Sequence, residues 1–126
     1  MKMKRKKTVL VVDDLSESLR SLKAVLEGSY SVRLAKSGEL ADSILGSVCV
    51  DLILLDIEMP GMSGLEYAKR LKGNPSTWHI PIVFVSAHSA AEIVQLAGRL
   101  DIKGYIKKPA SPDLIVEKIE AILGAK

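Results

Sequence analysis

The sequence predicts an α/β fold in which a doubly wound sheet of five parallel strands is covered by helices on both faces. Two observations lead to this prediction: short apolar runs recur along the chain, and each is followed by a segment with the apolar spacing of a helix. Apolar runs without polar interruption are typical of parallel strands that are buried on both faces. Strict alternation of strand and helix favours right-handed crossovers, which make neighbouring strands parallel.

Three predicted strands are apolar runs, at residues 9–12, 52–55 and 82–85. Two weaker candidates lie at 31–35 and 104–107, and the alternation of apolar and polar residues at 31–35 indicates an edge of the sheet. The five units predict a flavodoxin-like (βα)5 arrangement with strand order 2-1-3-4-5. In such sheets the ligand site lies at the carboxyl ends of strands 1 and 3.

Apolar residues with helical spacing follow every strand. They are Leu15, Leu19, Leu22 and Leu26; Leu40, Ile44 and Leu45; Leu65, Ala68 and Leu71; Ile93, Leu96, Ala97 and Leu100; and Ile115, Ile119 and Ile122. Ser111 can cap the last helix, with Pro112 at its first position. Gly28 and Gly124 are expected to end the first and last helices in the left-handed conformation.

Composition excludes several classes of protein. The 126 residues, 48% hydrophobic and 26% charged, suit one globular domain, and no apolar run approaches the roughly 20 residues of a membrane span. The apolar run after the basic start stops at Asp13, which excludes a signal peptide. Cys49 is the single cysteine, so no internal disulfide can form and a cytoplasmic location is expected.

Residues 1–7 are predicted to form a basic tail, and residues 8–126 the folded domain. The tail carries five basic residues, and removing their charge from the net +3 of the chain leaves −2. Short terminal charge runs are usually solvated, so we infer no direct nucleic-acid binding from the tail.

Polar residues lie where the predicted strands end. Asp13 and Asp14 end the first strand, Asp56 the third and Ser86 the fourth, and the fifth runs into a pair of lysines, Lys107 and Lys108. Any one such acid usually caps a helix or forms a turn. Because the carboxyl ends of parallel strands meet at one edge, the set together predicts a site.

Three carboxylates in one crevice repel each other, and a divalent cation would compensate them. Oxygen ligands alone favour Mg²⁺ or Mn²⁺ over zinc, and Mg²⁺ leaves room for phosphate oxygens. Asp56 could then act as the nucleophile in phosphoryl transfer, with a lysine and the Ser86 hydroxyl contacting the phosphoryl oxygens.

At these positions the chain resembles the response-regulator receiver domains of two-component phosphorelays, including the single-domain chemotaxis type. Four segments carry the resemblance, at 11–14, 54–64, 82–87 and 104–109, in family order and spacing. The resemblance implies that Asp56 is the phosphoacceptor, that Asp14 binds Mg²⁺ directly and Asp13 mainly through water, and that Glu58 contributes its backbone carbonyl.

The resemblance also assigns the lysine and the switch residues. The lysine immediately before proline, Lys108, should contact the phosphoryl group, which leaves Lys107 solvated. The Lys108–Pro109 bond should be cis. Ser86 and Tyr105 should form a switch pair that reshapes the surface of helix 4, strand 5 and helix 5, where a downstream protein binds.

Two further positions, Glu58 and His88, face the phosphoryl site in this family and affect how long the phosphoryl group survives. A lone loop histidine such as His88 is otherwise expected to be merely exposed.

The expected function is that of a switch, which takes a phosphoryl group from a histidine kinase or histidine phosphotransfer protein. It would catalyse its own phosphorylation and dephosphorylation without being an enzyme for other substrates. Dimerisation on phosphorylation stays open.

The main alternative is a pseudo-receiver, an unphosphorylated docking module. A flavin or nucleotide binder is disfavoured because acids, and not glycines, follow strand 1, and a metal-dependent phosphatase lacks a visible substrate pocket.

Overall fold

The computed structural model describes residues 6–124, which form five strands and five helices in strict alternation. The strands are β1 (Thr8–Val12), β2 (Ser31–Ala35), β3 (Leu52–Asp56), β4 (Ile82–Ser86) and β5 (Gly104–Lys107). The helices are α1 (Ser16–Leu26), α2 (Gly38–Leu45), α3 (Gly64–Lys72), α4 (Ala90–Ala97) and α5 (Pro112–Leu123). Residues 1–5, most of the predicted basic tail, lie outside the described residues.

All five strands are parallel and lie in the order β2-β1-β3-β4-β5, which confirms the predicted fold and topology. Every residue of β1, β3 and β4 is buried, whereas β2 and β5 at the edges are only partly buried. This difference explains why the central strands are continuous apolar runs and the edge strands are not.

Alternate residues of each central strand belong to opposite faces of the sheet. In β1, Leu10 and Val12 pack in one apolar cluster with α2, α3 and α4, while Val9 and Val11 pack in a second cluster with α1 and α5. The two clusters hold the sheet between two helix layers. Because both faces of the sheet are packed in this way, the carboxyl ends of the strands are held in place and position the loops that follow.

Serine side chains start four of the helices. Ser37, Ser63, Ser89 and Ser111 each accept a hydrogen bond from a backbone N–H in the first turn, and Pro112 follows Ser111 as predicted. Gly124 ends α5 with a positive φ of 89°, as predicted, but its ψ of 148° is extended and not that of a left-handed helical residue.

The same prediction is wrong for Gly28, which does not have a positive φ. The chain after α1 continues through Glu27 in a right-handed turn, and the N–H of Tyr30 donates to the Leu26 carbonyl. The buried Tyr30 side chain anchors this turn, so no left-handed residue is needed.

The two basic residues before β1 that the structure describes contact helix ends. Lys6 Nζ donates to the Glu27 carbonyl after α1, and Lys7 Nζ donates to the Leu123 carbonyl at the end of α5. Cations are favourable there because helix C-termini carry partial negative charge. None of the helices in residues 6–124 has the length and apolar character to cross a membrane.

Candidate functional site

Three carboxylates meet at the carboxyl edge of β1 and β3. Asp13, Asp14 and Asp56 each offer a carboxylate oxygen within 4.8 Å of the others. Asp13 and Asp56 are buried, with 1% and 6% of their surface exposed, while Asp14 is half-buried. The structure therefore brings together the three acids that the sequence singled out.

Hydrogen bonds distinguish these acids. Asp13 accepts from the Leu15 N–H at 2.9 Å through Oδ1 and from Lys108 Nζ at 3.0 Å through Oδ2. Asp56 accepts one long bond, 3.4 Å, from the Glu58 N–H, and its Oδ1 lies 3.8 Å from Lys108 Nζ. Both oxygens of Asp13 are thus engaged by the protein, whereas Asp56 is less constrained.

The structure places Lys108 in the acid cluster and Lys107 outside it. The Lys108–Pro109 peptide bond is cis, as the resemblance to receiver domains implied. The backbone N–H of Lys108 donates to the Ser86 carbonyl at 2.8 Å, which ties the loop to the end of β4. Lys107 is exposed, and its Nζ donates to the Ala87 carbonyl.

The charge of the cluster is only partly compensated. The pKa of Asp56 is raised to about 6, mainly by burial. The neighbouring Asp13 and Asp14 add to this rise, while Lys108 and the Glu58 N–H oppose it. One lysine against three carboxylates leaves an excess of negative charge in a buried place. A bound cation would remove that excess.

The ligand set fits a hard divalent cation. All side-chain ligands are carboxylate oxygens, and no histidine or cysteine belongs to the cluster, which favours Mg²⁺ or Mn²⁺. Among residues 6–124 this is the one group of three or more potential metal-binding side chains with ligand atoms so close together.

The predicted switch residues lie on neighbouring strands. Ser86 is buried at the end of β4, and its Oγ accepts a hydrogen bond from the His88 N–H at 3.1 Å. Tyr105 in β5 is half-buried against the cluster that contains α4, and Lys118 Nζ of α5 lies 5.4 Å from its ring centroid. The ring therefore lies against this apolar cluster on one side and near Lys118 of α5 on another.

His88 is not merely exposed, contrary to the expectation for a lone loop histidine. Its side chain is 30% exposed, with Nε2 3.2 Å from Glu58 Oε2 and Nδ1 3.6 Å from Glu92 Oε2. Glu92 was not among the residues predicted for the site. Its signals were the spacing of four residues from His88 and the Ser-x-x-Glu pattern that begins at Ser89.

The first residue of α3 lies directly against the phosphoacceptor candidate. A Cβ at Gly64 would be 1.9 Å from the carbonyl oxygen of Asp56, and the Gly64 N–H donates to the Ile57 carbonyl at 2.7 Å. Only glycine permits this approach, so Gly64 fixes the start of α3 beneath the site.

Comparisons with known proteins agree with this geometry. Residues 9–120 match the family model of the response regulator receiver domain. The polar-differentiation response regulator DivK of Brucella ovis is 32% identical over 119 residues, which cover 94% of this chain and 97% of that protein. A solved CheY-like receiver domain protein of Methanospirillum hungatei has a TM-score of 0.83 at 26% identity, with 93% of each chain covered.

A longer protein contains a similar segment. A Vibrio cholerae protein named "Probable cyclic di-GMP phosphodiesterase" is 38% identical over 119 residues, which cover 94% of this chain. The chain spans 27% of the length of that relative. The likeness therefore concerns one segment of the longer protein.

Proposed function

We propose that this chain, which belongs to the response regulator receiver domain family, is a phosphoacceptor switch that receives a phosphoryl group on Asp56. The observation that carries the proposal is a buried carboxylate at a strand end, with two further acids and one lysine beside it. Family membership implies a phosphodonor kinase and downstream effectors. We propose a histidine kinase or a histidine phosphotransfer protein as the donor.

The acid cluster is the proposed Mg²⁺ site. Asp14 and Asp56 would bind the ion directly, with the Glu58 carbonyl as a further ligand. Asp13 would act mainly through water, which agrees with the engagement of both its oxygens by Leu15 and Lys108. The bound ion would supply positive charge for the carboxylates and the phosphoryl oxygens.

The residues of the site suit an in-line displacement. An oxygen of Asp56 forms the new bond to phosphorus while the bond to the donor nitrogen breaks, and that nitrogen keeps the electron pair. Lys108 Nζ stabilises charge on the phosphoryl oxygens, and the Ser86 hydroxyl turns from the His88 N–H to donate to one of them. The chain would thus promote its own phosphorylation and, with water as the nucleophile, its dephosphorylation.

The output would pass through the surface of α4, β5 and α5. When the Ser86 hydroxyl turns toward the phosphoryl group, the Tyr105 ring would turn inward and leave Lys118. A downstream protein would bind this changed surface, and phosphorylation could also promote a homodimer.

We place the switch in the cytoplasm, because an exposed free thiol at Cys49 suits a reducing compartment.

The pseudo-receiver alternative is not favoured. A docking module that is never phosphorylated has no need of a buried acid cluster, which costs free energy through charge repulsion. Here three acids and a lysine remain together at the predicted edge.

Phosphorylation by a small donor tests the proposed function. We expect intact-mass spectrometry to show one added phosphoryl group after incubation with acetyl phosphate and Mg²⁺, and none when EDTA replaces Mg²⁺. Peptide mapping after borohydride reduction of the acyl phosphate should locate the modification at Asp56. An unmodified mass at full Mg²⁺ occupancy, or an adduct at another residue, would contradict the proposal.

We expect Lys108→Met to slow phosphorylation by acetyl phosphate about 100-fold, because the variant loses the cation beside the phosphoryl oxygens. Lys107→Met is the matched control, since this neighbouring lysine is exposed and outside the cluster. Its rate should stay within about twofold of the wild type. Equal rates for Lys108→Met and the control, measured as adduct formation over time, would show that Lys108 has no role in the transfer.

A further inference from the structure

We propose that Glu92 is a positioning residue for the phosphoryl site, which acts through His88 to slow loss of the phosphoryl group and to couple the site to α4. This inference rests on the proposed function. It concerns three side chains: Glu58 on the loop after β3, His88 on the loop after β4, and Glu92 in the first turn of α4.

The contacts form a continuous bridge. Glu58 Oε2 lies 3.2 Å from His88 Nε2, and Glu92 Oε2 lies 3.6 Å from His88 Nδ1. The two loops joined in this way follow adjacent strands, because β3 pairs with β4. The imidazole is thus held from two sides, at the edge of the sheet where Asp56 ends its strand.

Glu92 can hold the ring because its own position is fixed. Glu92 Oε1 accepts a hydrogen bond from the backbone N–H of Ser89 at 2.9 Å, and the backbone N–H of Glu92 donates to Ser89 Oγ at 3.2 Å. These two hydrogen bonds form a capping box. One carboxylate oxygen therefore caps α4 and the other faces His88. A change in the position of His88 is transmitted to the start of α4 through this carboxylate.

His88 also contacts the switch directly. Its backbone N–H donates to Ser86 Oγ, the hydroxyl that is proposed to turn toward the phosphoryl group. Turning that hydroxyl breaks this bond and frees the backbone of His88, while the ring contacts to Glu58 and Glu92 remain available. The bridge thus gives α4 a connection to the phosphoryl site in addition to the Ser86 and Tyr105 pair.

Because the bridge joins the loops that follow β3 and β4, it would limit the access of water to Asp56 at the end of β3. In hydrolysis, a water oxygen bonds to phosphorus as the bond to the Asp56 oxygen breaks, which releases inorganic phosphate and restores the carboxylate. Loosening the imidazole would admit water more readily. A single exposed carboxylate contact makes a modest contribution, so removing the Glu92 charge should accelerate hydrolysis about two- to fivefold.

Glu92→Gln is the test variant, because its amide oxygen still accepts from the Ser89 N–H while the charge facing His88 is lost. Glu66→Gln is the matched control. Glu66 forms the same capping box with Ser63 at the start of α3, but it makes no histidine contact among the described residues. Both changes should be made in the wild type and in a His88→Ala background.

The readouts are the rate of phosphoryl loss, followed by intact mass with Mg²⁺, and the ¹⁵N resonances of the His88 ring in the unphosphorylated protein. We expect Glu92→Gln to accelerate loss in the wild type, to have no effect in the His88→Ala background, and to shift the ring resonances. Glu66→Gln should change none of these.

The outcomes separate the two proposals. An acceleration of equal size with and without His88, or an unchanged rate together with unchanged ring resonances, would overturn the role of Glu92. Failure of the wild type to form any adduct would instead overturn the proposed function, and the ring resonances would still report whether Glu92 positions His88.

Discussion

We expect Asp56→Asn to abolish the phosphoryl adduct and, without metal, to raise the free energy of unfolding at pH 8 by about 2 to 3 kcal/mol. The amide cannot act as the nucleophile, so transfer stops. The gain in stability follows from burial, which raises the pKa of Asp56 from 3.8 to about 6. Each pKa unit corresponds to about 1.4 kcal/mol, and the neutral amide avoids the cost of a buried charge.

The pH dependence follows from the direction of this shift. Below pH 3.8 the carboxyl is protonated in both the folded and the unfolded chain, so it contributes no difference. As the pH rises toward about 6, the unfolded chain releases its proton first, and the folded protein loses stability up to that pH. Urea unfolding in EDTA at pH 4 to 8 should show this loss for the wild type and not for Asp56→Asn.

The control is Asp101→Asn, which removes an exposed carboxylate that precedes β5 and does not belong to the acid cluster. Its unfolding free energy should depend on pH in the same way as that of the wild type. Mg²⁺ should narrow the difference between the wild type and Asp56→Asn, because the ion stabilises the folded protein that binds it. If the unfolding free energies of the wild type and Asp56→Asn changed with pH in the same way in EDTA, Asp56 would carry no uncompensated charge.

We expect Gly64→Ala to lower the free energy of unfolding by about 3 kcal/mol or more and to remove most of the phosphorylation activity. The added methyl group would lie 1.9 Å from the Asp56 carbonyl oxygen, which belongs to the backbone and cannot rotate away. The start of α3 must therefore move, and the Asp56 backbone with it. Urea unfolding and adduct formation measure the two effects.

Gly73→Ala is the matched control at the other end of the same helix. Its added methyl group would have no neighbour closer than 3.5 Å, and its φ of −90° suits alanine. The change should therefore alter stability by less than about 1 kcal/mol. If Gly64→Ala were as stable as this control, the close contact between α3 and β3 would be wrong.

The sheet was predictable because its central strands leave a strong pattern. β1, β3 and β4 are buried on both faces, so almost every residue in them is apolar. Helix faces were less predictable. Leu15 and Leu40 fit the apolar spacing, yet they are 55% and 51% exposed, while α2 buries Ala41. Spacing does not show how a short helix is rotated on the sheet.

The acid cluster was also predictable, because β1 and β3 are neighbours and their carboxyl ends must meet. The bridge through His88 was not, since it depends on the conformation of two loops and on the first turn of α4. Gly64 stood within a recognised segment, but its closeness to the Asp56 carbonyl depends on how α3 packs. These features arise from three-dimensional contacts that no single segment of sequence encodes.

The strand order places the acids and the lysine of the site on elements that differ in local stability. The acids follow β1 and β3 at the centre of the sheet, whereas Lys108 follows β5, a four-residue strand at the edge. Edge elements open more often, because fewer hydrogen bonds and apolar contacts must break. Each such opening leaves the acids assembled without their lysine. If the acids bind the proposed metal ion, hydrogen exchange in β5 and metal occupancy should therefore be thermodynamically linked.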